Sequence, residues 1–176
     1  MRAARFHFER HRDRFIVARG RLREILGGYL NTDPKRIVFR YGEKEKPETT
    51  GLKFNLSHSG GLAVYATTRD REIGVDVEEI RTEIAHERIP ARFFCSNEVT
   101  SIRTTPAEEQ ALAFFRCWTR KEAYIKALGV GLSIPLNSFD VSSGSIGRWS
   151  IRSIDLPSPY VGAVCTEGDD YSIIFR

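Results

Sequence analysis

The chain has 176 residues, of which 41% are hydrophobic, 11% aromatic and 28% charged; that is enough apolar material for a packed core and excludes wholesale disorder. No window reaches the roughly 18 uninterrupted apolar residues of a membrane span, and the opening Met1-Arg2-Ala3-Ala4-Arg5-Phe6-His7 lacks the apolar stretch of a secretory signal. Lys and Arg number 27 against 23 Asp and Glu, a net charge of +4, while Cys95, Cys117 and Cys165 suit neither a disulfide framework nor a structural zinc site, so a soluble, cytoplasmic protein with reduced thiols is expected.

The first predicted element is a helix over about Arg10–Leu30, where Phe15, Ala18, Leu22, Ile25, Leu26 and Tyr29 recur at three- and four-residue spacing and Gly27-Gly28 loosens the end. Around it cluster Arg2, Arg5, Arg10, Arg12, Arg14, Arg19, Arg21 and Arg23 against Glu9, Asp13 and Glu24. Guanidinium forks suit phosphate or acidic partners, and three readings stay open on charge alone: a solvated face, a small phosphorylated ligand, or nucleic acid. The third lacks supporting aromatic-basic strands or a helix-turn-helix.

Asn31–Pro34 reads as a turn, Arg36–Tyr41 as a short strand, and Gly42–Gly51 as a charged loop carrying Lys44, Lys46 and Pro47. Strands are predicted at Lys53–Leu56 and Leu62–Thr67, separated by Ser57-His58-Ser59-Gly60-Gly61, and again at Glu72–Glu78. A short helix near Ala85–Arg92 and a helical opening at Ser96 follow. Thr105-Pro106-Ala107-Glu108 then carries an N-cap, a first-turn proline and a capping-box glutamate for a helix ending near Leu128 at Gly129 and Gly131. Strands near Arg148–Ile154, Val161–Thr166 and Tyr171–Phe175 close the chain. The order helix-then-strands occurs twice, giving an α+β fold of two similar lobes, about residues 1–70 and 71–176.

Two places hold charge where a core would not choose it. In Ile73-Gly74-Val75-Asp76-Val77-Glu78, the two-residue period of a strand puts Gly74, Asp76 and Glu78 on one face. This is either an acidic, solvated strand end or a site for a hard cation such as Mg²⁺, which takes oxygen ligands. On the helix after Pro106, Glu122 lies within the apolar stripe of Ala111, Phe115, Trp118 and Ile125, with Lys126 one turn on. Glu122 and Lys126 are either a surface pair or a buried group that needs a partner or a metal; in the latter case Asp76, Glu78 and Glu122 serve one Mg²⁺ with Lys126 beside it. His58, between Ser and Gly residues, is either a plain turn histidine or part of a phosphate cradle of exposed backbone N–H groups.

These residues together resemble the 4′-phosphopantetheinyl transferases of the Sfp type, which move phosphopantetheine from coenzyme A to a serine of a carrier protein. The resemblance is carried by Phe54-Asn55-Leu56-Ser57-His58-Ser59, Gly74-Val75-Asp76-Val77-Glu78, Arg92-Phe93-Phe94-Cys95-Ser96-Asn97-Glu98, Trp118-Thr119-Arg120-Lys121-Glu122-Ala123-Tyr124-Ile125-Lys126-Ala127 and Gly131-Leu132-Ser133. It implies the transferase fold of two lobes related by a pseudo-twofold, the first lobe shortened at its N-terminus. It implies that Asp76, Glu78 and Glu122 hold Mg²⁺ against the coenzyme pyrophosphate. It further implies Glu122 as general base and Lys126 as the residue facing the scissile phosphate, with Arg14, Lys46, Ser57, His58 and Lys121 expected to hold the coenzyme. The implied partners are coenzyme A and an apo acyl, peptidyl or polyketide carrier protein, with no nucleic acid or membrane and a monomer as the simplest state. The alternative is a coenzyme- or carrier-binding module of the same fold without strong catalysis.

Overall fold

The computed structural model describes residues 9–42, 46–81 and 92–176, and within them every side chain except those of residues 9–11, 14 and 132. Its contacts divide the chain into two compact units, one reaching to Leu52 and one beginning at Lys53. The division falls earlier than the 70/71 boundary expected from the repeated element order, so the hairpin of residues 53–68 belongs to the second unit.

In the first unit, α1 (Glu9–Leu30) buries Leu22 and Leu26, one turn apart. It ends where Asn31 takes a left-handed backbone (φ 50°) and the Thr32 N–H donates to Gly27 O at 3.0 Å. The strand expected over Arg36–Tyr41 is confined to β1 (Arg40–Tyr41), paired antiparallel with β2 (Pro47–Glu48). The reason is local. Pro34 fixes φ, and Asp33 accepts the Lys35 N–H at 2.8 Å, so Pro34–Arg36 winds into a 3₁₀ turn instead. Two of the arginines also have structural tasks. Arg23 donates to Pro34 O and Ile37 O at 2.9 and 2.7 Å, and Arg19 lies 4.6 Å over the Phe39 ring.

The second unit begins with a hairpin, β3 (Lys53–Ser59) and β4 (Leu62–Thr68), turned by Gly60 and Gly61. Ser57, His58 and Ser59 are thus strand residues, paired with Val64, Ala63 and Leu62. The expected loop between strands, with backbone N–H groups free to cradle a phosphate, is replaced by a regular ladder. Next, β5 (Ile73–Glu79) pairs antiparallel with β8 (Tyr160–Glu167), which pairs with β7 (Trp149–Ile154) and that with β6 (Ser145–Ile146), in the order β5-β8-β7-β6.

Two helices serve this sheet. The first is α2 (Ser96–Thr104), with Ile102 packed among Phe94, Phe114 and Phe115. The second is α3 (Gln110–Leu128), which lies across β5 and β8 and stops at Gly129 with φ 69°. A core of Ala123, Ala127, Val141, Trp149, Ile151, Ala163 and Cys165 joins α3 to the strands. The start expected for α3 at Thr105-Pro106 is displaced. The Thr105 hydroxyl turns back to Ser101 O at 2.9 Å, closing α2, and Ala107–Glu109 forms a 3₁₀ turn before α3 begins. The helix expected near Ala85–Arg92 lies, except for Arg92, outside the described residues.

The strand expected at Tyr171–Phe175 does not form. β6 pairs with only Trp149 and Ser150 of β7, and beyond it Arg152 holds the segment through its guanidinium, donating to Asp169 O at 2.6 Å and Tyr171 O at 2.9 Å. Among the described residues, no helix is long and apolar enough to cross a membrane.

Candidate active site

The site is built where α3 crosses β5, and the closeness of that crossing comes from Gly74. A Cβ there would sit 2.1 Å from Ala123 O and 2.3 Å from Ala127 N, so only glycine lets the helix backbone rest on the strand. Gly74 and Asp76 share a face by the period of the strand, so the Asp76 carboxylate points beneath the same helix. There Lys126 meets it, with Nζ 2.5 Å from Asp76 Oδ1.

Asp76 is buried, with 3% of its surface exposed. Burial holds its carboxyl above the ordinary carboxylate range, against the opposing pull of Lys126 and the Ser57 hydrogen bond. Its two oxygens have different fates. Oδ1 accepts from Lys126 Nζ and from Ser57 Oγ at 2.8 Å, whereas Oδ2 is buried and has no hydrogen-bond partner among the described residues. Glu78 and Glu122, both partly buried, are likewise raised, first by desolvation. Ser59 opposes this at Glu78, and Lys126 opposes it at Glu122. Glu122 also feels the charges of Asp76 and Glu78, which raise it further. The three carboxylates are therefore coupled through space around one ammonium.

Their coupling does not amount to a closed ligand cage. Three metal-capable donors lie within 4.8 Å of one another at Cys95, Glu98 and Asp140, and Asp76, Glu78 and Glu122 do not form such a group. The Cys95 cluster is itself a structural knot. Glu98 accepts the N–H groups of Cys95 and Val141, both at 2.9 Å, and pairs with Lys121 at 2.8 Å. Asp140 is taken by Ser142.

The donor set at Asp76 nevertheless fits a hard divalent cation. All three groups offer oxygen, a buried carboxylate oxygen lacks a donor among the described residues, and the three carboxylates outnumber the two cations whose charge acts on them, Lys126 on all three and Arg81 on Glu78.

The structure brings Asp76, Glu78, Glu122, Lys126 and Ser57 together and places the other expected residues elsewhere. Lys121 is completely buried, its ammonium bonded to Leu136 O and Phe139 O at 2.8 and 2.6 Å besides Glu98. It is an internal tie between α3, α2 and the 136–141 segment, with no donor turned outward to a coenzyme. Ser57 is buried too, and its hydroxyl is saturated: it donates to Asp76 and accepts from Val77 N at 3.3 Å and Lys126 Nζ at 3.1 Å. His58, pointing the other way along the strand, is exposed. Lys46 is half-buried within the first unit, and the side chain of Arg14 lies outside the described residues.

The sequence reading missed Glu98 as the partner of Lys121 and missed the row formed by Asn55, Ser57 and Ser59. The row was visible as polar residues at every second position, a strand signal obscured by the turn-forming character of serine beside Gly60-Gly61.

Residues 72–174 match the family model of the 4′-phosphopantetheinyl transferase superfamily. The chain is similar to the 4′-phosphopantetheinyl transferase HetI of Nostoc sp., with 45% identity over 138 residues, covering 75% of this chain and 58% of that protein. It is similar to the 4′-phosphopantetheinyl transferase psf-1 of Bacillus pumilus, with 34% identity over 163 residues, covering 90% of this chain and 68% of that one. It is also similar to the 4′-phosphopantetheinyl transferase Sfp of Bacillus subtilis, with 30% identity over 181 residues, covering 95% and 80%.

Proposed function

Since the chain belongs to the 4′-phosphopantetheinyl transferase superfamily, we propose that it transfers 4′-phosphopantetheine from coenzyme A to a serine of an apo carrier protein, in a Mg²⁺-dependent reaction releasing adenosine 3′,5′-bisphosphate. The observation that carries this reading is the buried Asp76 carboxylate, one oxygen clamped by Lys126 and Ser57 and the other without a donor.

Asp76, Glu78 and Glu122 are the residues that would hold Mg²⁺. The ion would supply positive charge to a pyrophosphate that the three carboxylates alone would repel. The remaining work falls to side chains. Glu122, raised by burial above an exposed carboxylate, is a stronger base and accepts the proton from the carrier serine hydroxyl. Its two oxygens divide between that proton and the ion. The serine oxygen then bonds to the phosphorus bearing the pantetheine arm, and the bond from that phosphorus to the adenosine-side phosphate oxygen breaks.

Lys126 compensates the charge left on that oxygen. Its weakest existing bond, to Val75 O at 3.4 Å, is the one most readily exchanged for a phosphate. His58, exposed on β3, together with Lys46 and Arg14, is proposed to contact the nucleotide phosphates.

The test is a mass measurement. Apo acyl, peptidyl and polyketide carrier proteins are mixed separately with the protein, coenzyme A and Mg²⁺. A gain of one phosphopantetheine group on a carrier serine is expected, and its loss on adding a chelator. Coenzyme A binding with no gain on any carrier would instead identify a binding module of this fold.

A further inference from the structure

The free edge of β5 is closed by side chains rather than by a neighbouring backbone. From Asn55 onward, every second residue of β3 reaches across to a backbone N–H of β5: Asn55 Oδ1 accepts from Val75 N at 2.9 Å, Ser57 Oγ from Val77 N at 3.3 Å, and Ser59 Oγ from Glu79 N at 3.1 Å. Both strands advance together, residue 55 to 75, 57 to 77, 59 to 79, so they run parallel and are zipped at a constant offset. The N–H groups so met alternate with those of the ladder to β8, and all three would otherwise be unpaired edge donors.

The same hydroxyls have a second task. A serine hydroxyl that accepts from the backbone has its proton left to donate, and in both cases it goes to the adjacent carboxylate: Ser57 to Asp76 Oδ1 at 2.8 Å and Ser59 to Glu78 Oε2 at 2.7 Å. Each serine therefore fixes one carboxylate oxygen against the strand; at Asp76 the other oxygen stays buried without a donor among the described residues. Alanine would fill the space at either position without doing this.

We propose that Ser57 and Ser59 form a positioning device that sets the rotamers of Asp76 and Glu78 for cation binding, with Ser59 the positioning residue for Glu78. The inference rests on the Mg²⁺-dependent reading above. Partners that orient metal-binding groups are worth about 10- to 100-fold in metal affinity.

The experiment titrates the full chain with Mn²⁺ in the presence of coenzyme A, following free ion by electron paramagnetic resonance, alongside thermal melting. Ser59→Ala is expected to weaken Mn²⁺ binding about 10-fold. Ser59→Thr, which keeps the hydroxyl, is expected to bind as the wild type does. Ser59→Cys keeps the bulk with a weak donor, supplies a folded variant should the alanine form fail to fold, and is expected to weaken binding as well. A structural role alone would lower the melting temperature and leave the Mn²⁺ affinity of the folded variant unchanged. That result in either Ser59→Ala or Ser59→Cys overturns the positioning role, whereas a wild type that binds no Mn²⁺ overturns the metal reading itself.

Discussion

Substituting Gly74 by alanine tests the geometry on which the site depends. The added Cβ would lie 2.1 Å from Ala123 O, 2.3 Å from Ala127 N and 2.9 Å from the carbonyl carbon of Lys126, whereas ordinary contact begins at 3.4 Å. The helix must therefore withdraw by about 1.3 Å, and since every obstructing atom is backbone, no side chain can swing aside. Ala123 and Ala127 are wholly buried against the sheet, so withdrawal also opens their interface. Overpacking of this kind costs about 1–3 kcal/mol, and with three backbone obstructions the upper end is expected. The same displacement carries Lys126 Nζ out of its 2.5 Å contact with Asp76, and a misplacement of about 1 Å costs on the order of 100-fold in turnover. Urea unfolding gives the first quantity, and transfer to an apo carrier, normalised to folded protein, gives the second. Gly20→Ala is the control, since nothing lies within 4 Å of its Cβ on α1, and it is expected to stabilise by up to about 1 kcal/mol. A Gly74→Ala protein with wild-type midpoint and turnover would refute the close crossing of α3 over β5.

Glu122→Gln is expected to abolish most transfer while coenzyme A binding, measured by calorimetry, stays detectable; wild-type turnover at saturating Mg²⁺ would count against the base role. Lys121→Met is expected to lower stability by about 3–5 kcal/mol in urea unfolding, because it leaves the Glu98 carboxylate buried and unpaired. A midpoint shift near zero would mean that the pair is solvated. The pH dependence follows from Asp76, Glu78 and Glu122, all held above the ordinary carboxylate range by burial. A raised folded-state pKa means that the folded protein binds protons more tightly than the unfolded chain. The contribution is fully present below the unfolded-state pKa and lost as pH rises through the folded one. Between about pH 4 and neutrality, metal-free wild type should therefore lose stability relative to Glu122→Gln. Mg²⁺ should restore it at neutral pH, where the carboxylates are ionised; a melting temperature indifferent to Mg²⁺ there would be contrary evidence.

The site was legible wherever one residue's own spacing carried the signal. Gly74, Asp76 and Glu78 follow from the alternation of a strand, and Glu122 with Lys126 from a charge set into an apolar helical stripe. What escaped was decided by partners distant in sequence. Ser57 and Ser59 read as turn residues because serine beside glycine usually makes its hydrogen bonds locally; here their acceptor and donor partners lie on a strand 19 or 20 residues later. Lys121, a coenzyme contact by resemblance, is fully buried, which lysine almost never is unless paired, and its pair, Glu98, sits on another helix. At the chain's end, Tyr171–Phe175 has a strand's composition, but an arginine side chain rather than a ladder holds its start, Arg152 donating to Asp169 O and Tyr171 O, and the outer edge of β5 is filled by the side chains of β3.

That filled edge bears on why the proposed site would suit a cation. An edge strand can have its N–H groups met by a neighbour's backbone, which leaves the side chains of both strands to choose their own rotamers. Meeting them with serine hydroxyls uses the acceptor side of each oxygen and directs its remaining proton at the nearest carboxylate. Asp76 Oδ1 is thereby satisfied twice, by Ser57 and Lys126, and the carboxylate loses the freedom to rotate its second oxygen toward them. An unpaired buried acceptor costs about 1–3 kcal/mol, more when charged, so Oδ2 remains the atom in the site with most to gain from an incoming cation. The fold creates that unmet acceptor by the way it seals the strand. Restoring a donor to Oδ2 should then weaken metal binding even with every carboxylate retained.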